Sequence, residues 1–157
     1  MAIWISRYSN KELQSGKYYP VGISIGKPKW PLGYELRDQC YQLAPKGYML
    51  QMDIVPFTAI YEEKLDNIGI GNITRILEGY KDKAKKEGKE VVLLCYEDVR
   101  KEGEWCHRTI FANWWRKKTG EIIRELHDPS VPKEKKPTVQ AVKEDNRYKQ
   151  MSLFDMS

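Results

Sequence analysis

No run of about 18 apolar residues occurs anywhere in the chain, so no segment is suited to cross a membrane as a helix. Cysteine is scarce, with three in 157 residues, and no two of them form a Cys-x-x-Cys pair. That removes the usual paired-cysteine signature of a zinc site. There is no Gly-rich phosphate loop and no Gly-x-Ser-x-Gly elbow; the stretch GIGN at 69–72 is too short for either. No internal repeat is visible. The opening MAIWISRYSNKE lacks the basic-then-apolar layout of a secretory signal. These absences lead to the expectation of a cytoplasmic protein in a reducing compartment, with no membrane partner. There thiols stay free, and a special cysteine is reactive or a ligand.

What remains is a soluble composition, 41% apolar and 31% charged, on a chain long enough for one domain with a real core. The net charge is +5. Residues 128–149 carry six Lys/Arg and four Asp/Glu, and residues 1–127 keep a surplus of +4. A mildly basic domain is compatible with a phosphate-bearing partner. Ten Tyr and five Trp interleaved with lysines offer stacking platforms for bases, although core and rim positions account for most aromatics in any domain.

Short β-branched or aromatic runs, IWISRY (3–8) and VGISI (21–25), predict strands. KPKWPLGY (27–34) predicts a loop. Leu36, Cys40 and Leu43 at helical spacing predict a helix over 34–44 that stops before Pro45, and YMLQMDIV (48–55) predicts a strand. Pro56 opens a predicted helix whose stripe is Phe57, Ile60, Tyr61, Leu65 and Ile68. Asn72 is the expected cap of the next helix, with Ile73, Ile76, Leu77, Tyr80 and Ala84 on one face and Gly88 at its end. EVVLLC (90–95) is a continuous apolar run of strand length, as expected of a strand covered on both faces. A helix over 106–120 and a strand over 121–126 complete the pattern. Alternating strands and helices predict an α/β fold, three-layered and Rossmann-like, with a mostly parallel sheet and a disordered C-terminal tail.

Ligands of open parallel sheets sit outside the carboxyl ends of the strands, where Cys95 and Glu97 emerge. The helix beginning near Cys106, His107 and Arg108 aims its free N–H groups at the same crevice. A thiol there favours its thiolate form, and the guanidinium of Arg108 suits phosphate or carboxylate. The expected site is thus an anion-binding crevice, with Cys95, Glu97, Cys106 and His107 as candidate nucleophiles and acid–base groups. A second reading stands beside it. His107, Ile110, Phe111 and Trp114 share one helical face, so His107 also fits a core histidine, and Cys95 a small inert hydrophobe. No metal and no cofactor is expected: Cys95, Cys106 and His107 are three ligands at best, and neighbouring residues rarely face one ion.

The segment LLCYE…CHRTIFANWW resembles the signature of the family called domain of unknown function 488, in which a strand ends in Leu-Cys-x-Glu and a loop leads to Cys-His-Arg at a helix start. ISIGKPKWPLGY followed by YQLAP resembles the upstream pattern of one branch of that family. The resemblance covers residues 3–127 and implies an α/β sandwich without implying a settled reaction. It carries Cys95, Glu97, Cys106, His107 and Arg108 as signature positions, with Ser24, Lys27, Pro28 and Trp30 from the upstream motif. Of these, Arg108, Ser24, Lys27 and Trp30 are the expected anion- or substrate-binding set.

From Asp128 the periodicity dissolves. Residues 128–149 are expected to be a flexible linker, about 22 residues spanning on the order of 25 Å. Beyond it, Gln150-Met151-Ser152-Leu153-Phe154 resembles the pentapeptide by which bacterial proteins bind the DNA polymerase sliding clamp. The resemblance implies that Gln150 lies at the mouth of the clamp's pocket, with Leu153 and Phe154 buried. Met151 departs from the usual Leu, a nearly volume-conserving change. Three segments follow: a domain over 1–127, a linker over 128–149 and a clamp-binding peptide over 150–157. Two functions fit them. One is a DNA- or nucleotide-directed enzyme tethered to the clamp; the other is a non-catalytic regulator, of host or phage, that competes for the clamp groove.

Overall fold

The alternation of EVVLLC sorts the molecule into layers. In the computed structural model, which describes residues 2–133, this segment is the central strand of a five-stranded sheet in which every pairing is parallel. The strands are β1 (Ile3–Arg7), β2 (Tyr18–Gly22), β3 (Asp38–Gln39), β4 (Glu90–Cys95) and β5 (Arg124–Glu125), in spatial order β3-β2-β4-β1-β5. Three helices, α1 (Ile54–Ile68), α2 (Ile70–Lys86) and α3 (His107–Thr119), carry the β3–β4 and β4–β5 connections. Val91 and Leu93 of β4 face a core shared with Ile3, Ile5, Val21 and the apolar faces of all three helices. Val92 and Leu94 face the other way, onto Tyr8, Leu13 and Leu126. On that side the covering layer is a 3-10 helix (Lys11–Ser15) and the loop carrying Leu32, Tyr34 and Leu36. No helix among the described residues is long and apolar enough to cross a membrane.

Several local expectations give way to tertiary hydrogen bonding. Residues 34–44 form no α-helix. The N–H of Arg37 bonds the Pro20 carbonyl (3.0 Å) and that of Cys40 the Gly22 carbonyl (2.7 Å), so this backbone is used as the edge strand β3, followed by a single 3-10 turn at Tyr41–Leu43. Residues 48–55 form no strand; a 3-10 helix (Gly47–Gln51) leads into α1 at Ile54. Pro56 is then the third residue of α1, where its missing N–H would have found no helical partner anyway. Gly69, at φ +90°, separates α1 from α2, a backbone state that side chains disfavour. Asn72 does not cap α2; its amide donates to the Ile68 carbonyl at the end of α1 (2.7 Å). The strands at 21–25 and 121–126 pair only over Tyr18–Gly22 and Arg124–Glu125.

Candidate functional site

Parallel pairing brings the strand ends to one rim. Arg7 is in register with Cys95, and Gly22 with Leu94. Cys95 has the parity of Val91 and Leu93, so its side chain points to the helical face, where α3 begins. Cys106 precedes α3 with extended backbone (φ −142°, ψ 149°). That geometry answers the objection that neighbours rarely share a centre. Because Cys106 is still extended while His107 is helical, their side chains are not splayed by a helical step. Contrary to the expectation of free thiols, Cys95 and Cys106 are paired sulfur to sulfur as a disulfide, with their Cα atoms 7.3 Å apart, and Cys40 is the free cysteine; His107 Nδ1 lies 3.7 Å from Cys106 Sγ. The ligand atoms of all three residues fall within 4.8 Å of one another, and all three residues are buried.

The orientation of His107 is fixed on both sides. Its Nε2 is 2.6 Å from the Ile23 carbonyl, which can only accept, so Nε2 carries the proton and Nδ1 presents a lone pair to the sulfurs. The rings of Tyr61 and His107 pack nearly perpendicular, centroids 5.6 Å apart. Burial pushes the pKa of His107 down to about 4; the Ile23 carbonyl opposes this and the charge of Arg108 adds to it. At neutral pH the ring is uncharged.

Arg108 does not stand free in the crevice. It is fully buried, and its fork grips Glu125 of β5 (Nε–Oε1 3.1 Å, Nη2–Oε2 2.9 Å) while Nη1 reaches Cys95 Sγ at 3.1 Å. The guanidinium is spent on joining α3, β4 and β5, and holds the Cys95 sulfur instead of an outside anion. Glu97 is exposed, with Oε2 3.9 Å from Cys95 Sγ. It lines a cleft of about 310 Å³ together with Cys106, His107, Trp105, Phe57 and Met52.

The upstream residues divide. Ser24 is buried, bonded to Tyr8 Oη (2.6 Å) and donating to the Gly26 carbonyl (2.7 Å), which shapes the loop. A Cβ at Gly22 would collide with the Gln39 side-chain amide and the Tyr8 hydroxyl, both of which would have to shift. Lys27 and Trp30 are exposed, as is Lys29. The ring of Trp30 lies 5.8 Å from that of Tyr96, which in turn lies 4.9 Å from Tyr8, and the Tyr96 hydroxyl donates to the Gly26 carbonyl (2.6 Å). The rim therefore carries an exposed aromatic step one residue along from Cys95. Sequence reasoning passed over Tyr96, Tyr61, Glu125 and the Ile23 carbonyl. Tyr61 had been visible only as one member of an apolar stripe, and a carbonyl leaves no residue-type signal at all. Gln150, Met151, Leu153 and Phe154 lie outside the described residues.

No family model, no curated protein and no solved structure matches the chain.

Proposed function

We propose that this protein is an enzyme acting on DNA or nucleotides, with its reaction centre at Cys95, Cys106 and His107 and with Gln150–Phe154 delivering it to the bacterial sliding clamp. The observation that carries the reading is the convergence of that buried cluster, the cleft bearing Glu97 and the exposed Trp30–Tyr96 step on one rim of the sheet. It accords with the resemblance to domain of unknown function 488, whose signature residues are the ones that converge. With Arg108 occupied by Glu125, phosphate charge is met by Lys27 and Lys29, beside the aromatic step. Bases stack on Trp30 and Tyr96, and the reacting group enters the cleft.

Anisotropy of labelled single-stranded oligodeoxynucleotides and nucleoside triphosphates tests this with the full chain. Trp30→Ala is expected to weaken binding about fivefold or more, since base stacking contributes ~1–3 kcal/mol. Lys27→Ala with Lys29→Ala is expected to lower the salt dependence. Equal binding by Trp30→Ala overturns the assignment of the rim. Absence of binding by the parent protein overturns the enzyme and leaves the competing clamp-binding regulator.

A further inference from the structure

We propose that Cys95, Cys106 and His107 are the ligands of a zinc-class divalent cation, held by three protein side chains with its fourth position open to the cleft beside Glu97. The inference names a cofactor for the reaction centre proposed above; the ligand assignment depends on neither substrate nor clamp.

Four features of the cluster favour a metal over its rivals. The donor set, two thiolates and one imidazole, is a zinc set, and with a free fourth position it has the form of catalytic rather than structural sites. The histidine is prepared as a ligand: Nε2–H is anchored on the Ile23 carbonyl and the Nδ1 lone pair faces the sulfurs. Ligating histidines characteristically have such an outer partner. Third, the Cα atoms of the two cysteines are 7.3 Å apart, whereas a relaxed disulfide holds them about 4.4–6.8 Å apart. That separation lies outside the relaxed range and leaves room for an ion between the sulfurs once the pair is reduced. Fourth, the buried charges balance. Two thiolates neutralise a divalent ion, while Arg108, which donates to Cys95 Sγ, is itself neutralised by Glu125. Without the ion, a pair of thiolates here has only Arg108 to offset it, and that charge is already matched.

Glu97 is placed for a different role. Its carboxylate approaches one sulfur, 3.9 Å away, but is not one of the three groups that converge. It lines the cleft with Cys106 and His107, so it is assigned as the proton acceptor for a water in the open position.

Cobalt(II) is the probe. Full-length protein, reduced and freed of metal, is titrated with cobalt alone and followed by thiolate-to-cobalt charge-transfer absorption and the visible bands of a four-coordinate ion. The expected result is one equivalent bound, displaced by zinc. Cys95→Ser and Cys106→Ser should each weaken binding by at least the ~100-fold that loss of an outer-shell partner can reach, and Cys40→Ser should leave it unchanged. Glu97→Gln should leave the stoichiometry intact. Should a serine variant unfold, alkylation supplies the second measurement. Zinc should protect Cys95 and Cys106 of the parent protein from iodoacetamide and leave Cys40 as it was. Failure of the folded, reduced parent to give the cobalt band, a band that persists in folded Cys106→Ser, or no protection by zinc overturns the assignment. None of these outcomes bears on oligonucleotide binding at Trp30, so the site and the substrate class fail separately.

Discussion

Arg108 is buried where α3, β4 and β5 meet. Its planar fork is used in full, two arms on Glu125 and one on the Cys95 sulfur, with the side chain excluded from water. Lysine keeps the charge but is a point donor that cannot reach both partners. Arg108→Lys is therefore expected to destabilise the fold by ~2–4 kcal/mol, because a buried charge loses most of its compensation. Glu125→Gln should cost less, since Glu125 is about a third exposed and water partly replaces it. Urea midpoints measure both. A change within ~0.5 kcal/mol for Arg108→Lys, the range of an ordinary surface substitution, would refute the structural role. The candidate site was legible as a list of residue types, Cys-x-Glu and Cys-His-Arg near two element ends. Their division of labour was not legible, because it depends on Glu125 and the Ile23 carbonyl, which reach the cluster through strand register rather than local spacing.

Between elements, a carboxylate–guanidinium network ties the chain beyond β5 to the rest of the sheet. Arg7 at the end of β1 meets Asp128 (2.7 Å) and Asp98 (3.8 Å), and Arg100 in the β4–α3 loop meets Asp98 (2.9 Å) and Asp128 (3.3 Å). Ser130 joins through Arg7 (2.8 Å). The expected boundary at residue 127 thus falls inside a connected cluster, since a polar segment can be held by ion pairs without an apolar periodicity to announce it. Hydrogen bonding from Arg100 holds the pKa of Asp98 down at about 2, against its burial and aided by Arg7. At Asp128 burial pushes upward, but the bonds from Arg7 and Ser130 outweigh it and the net direction is down. Folded values below the unfolded ones mean stabilisation that is fully present above pH ~4 and lost as pH falls towards 2. Asp98→Asn should therefore lower stability at neutral pH by on the order of 2 kcal/mol at most and flatten the acid limb of the stability curve. An acid limb identical to that of the parent protein would count against the network. The long elements were legible for a related reason. β4 and the α1, α2 and α3 stripes carry strong periodicity, whereas β3 and β5 are two-residue edges defined by what they pair with.

For the molecule as a whole, the question is whether the C-terminal peptide acts independently of the domain. Among the described residues, both apolar clusters are built from residues between Ile3 and Leu126. Leu153→Ala with Phe154→Ala should abolish retention of the full chain on an immobilised bacterial sliding clamp and leave its melting temperature unchanged. Retention equal to that of the parent protein would sink the clamp assignment. Ionic strength separates the two proposed partners further. A groove that takes up Leu153 and Phe154 is an apolar contact and should hold from low to moderate salt. Oligonucleotide binding near Lys27 and Lys29 displaces counterions and should weaken over the same range. If the protein works as proposed, the clamp supplies proximity to DNA without adding contacts at the cleft. Oligonucleotide affinity of the free protein should then be the same with and without the Leu153 and Phe154 substitutions, while only the parent protein gains affinity for DNA already loaded with the clamp.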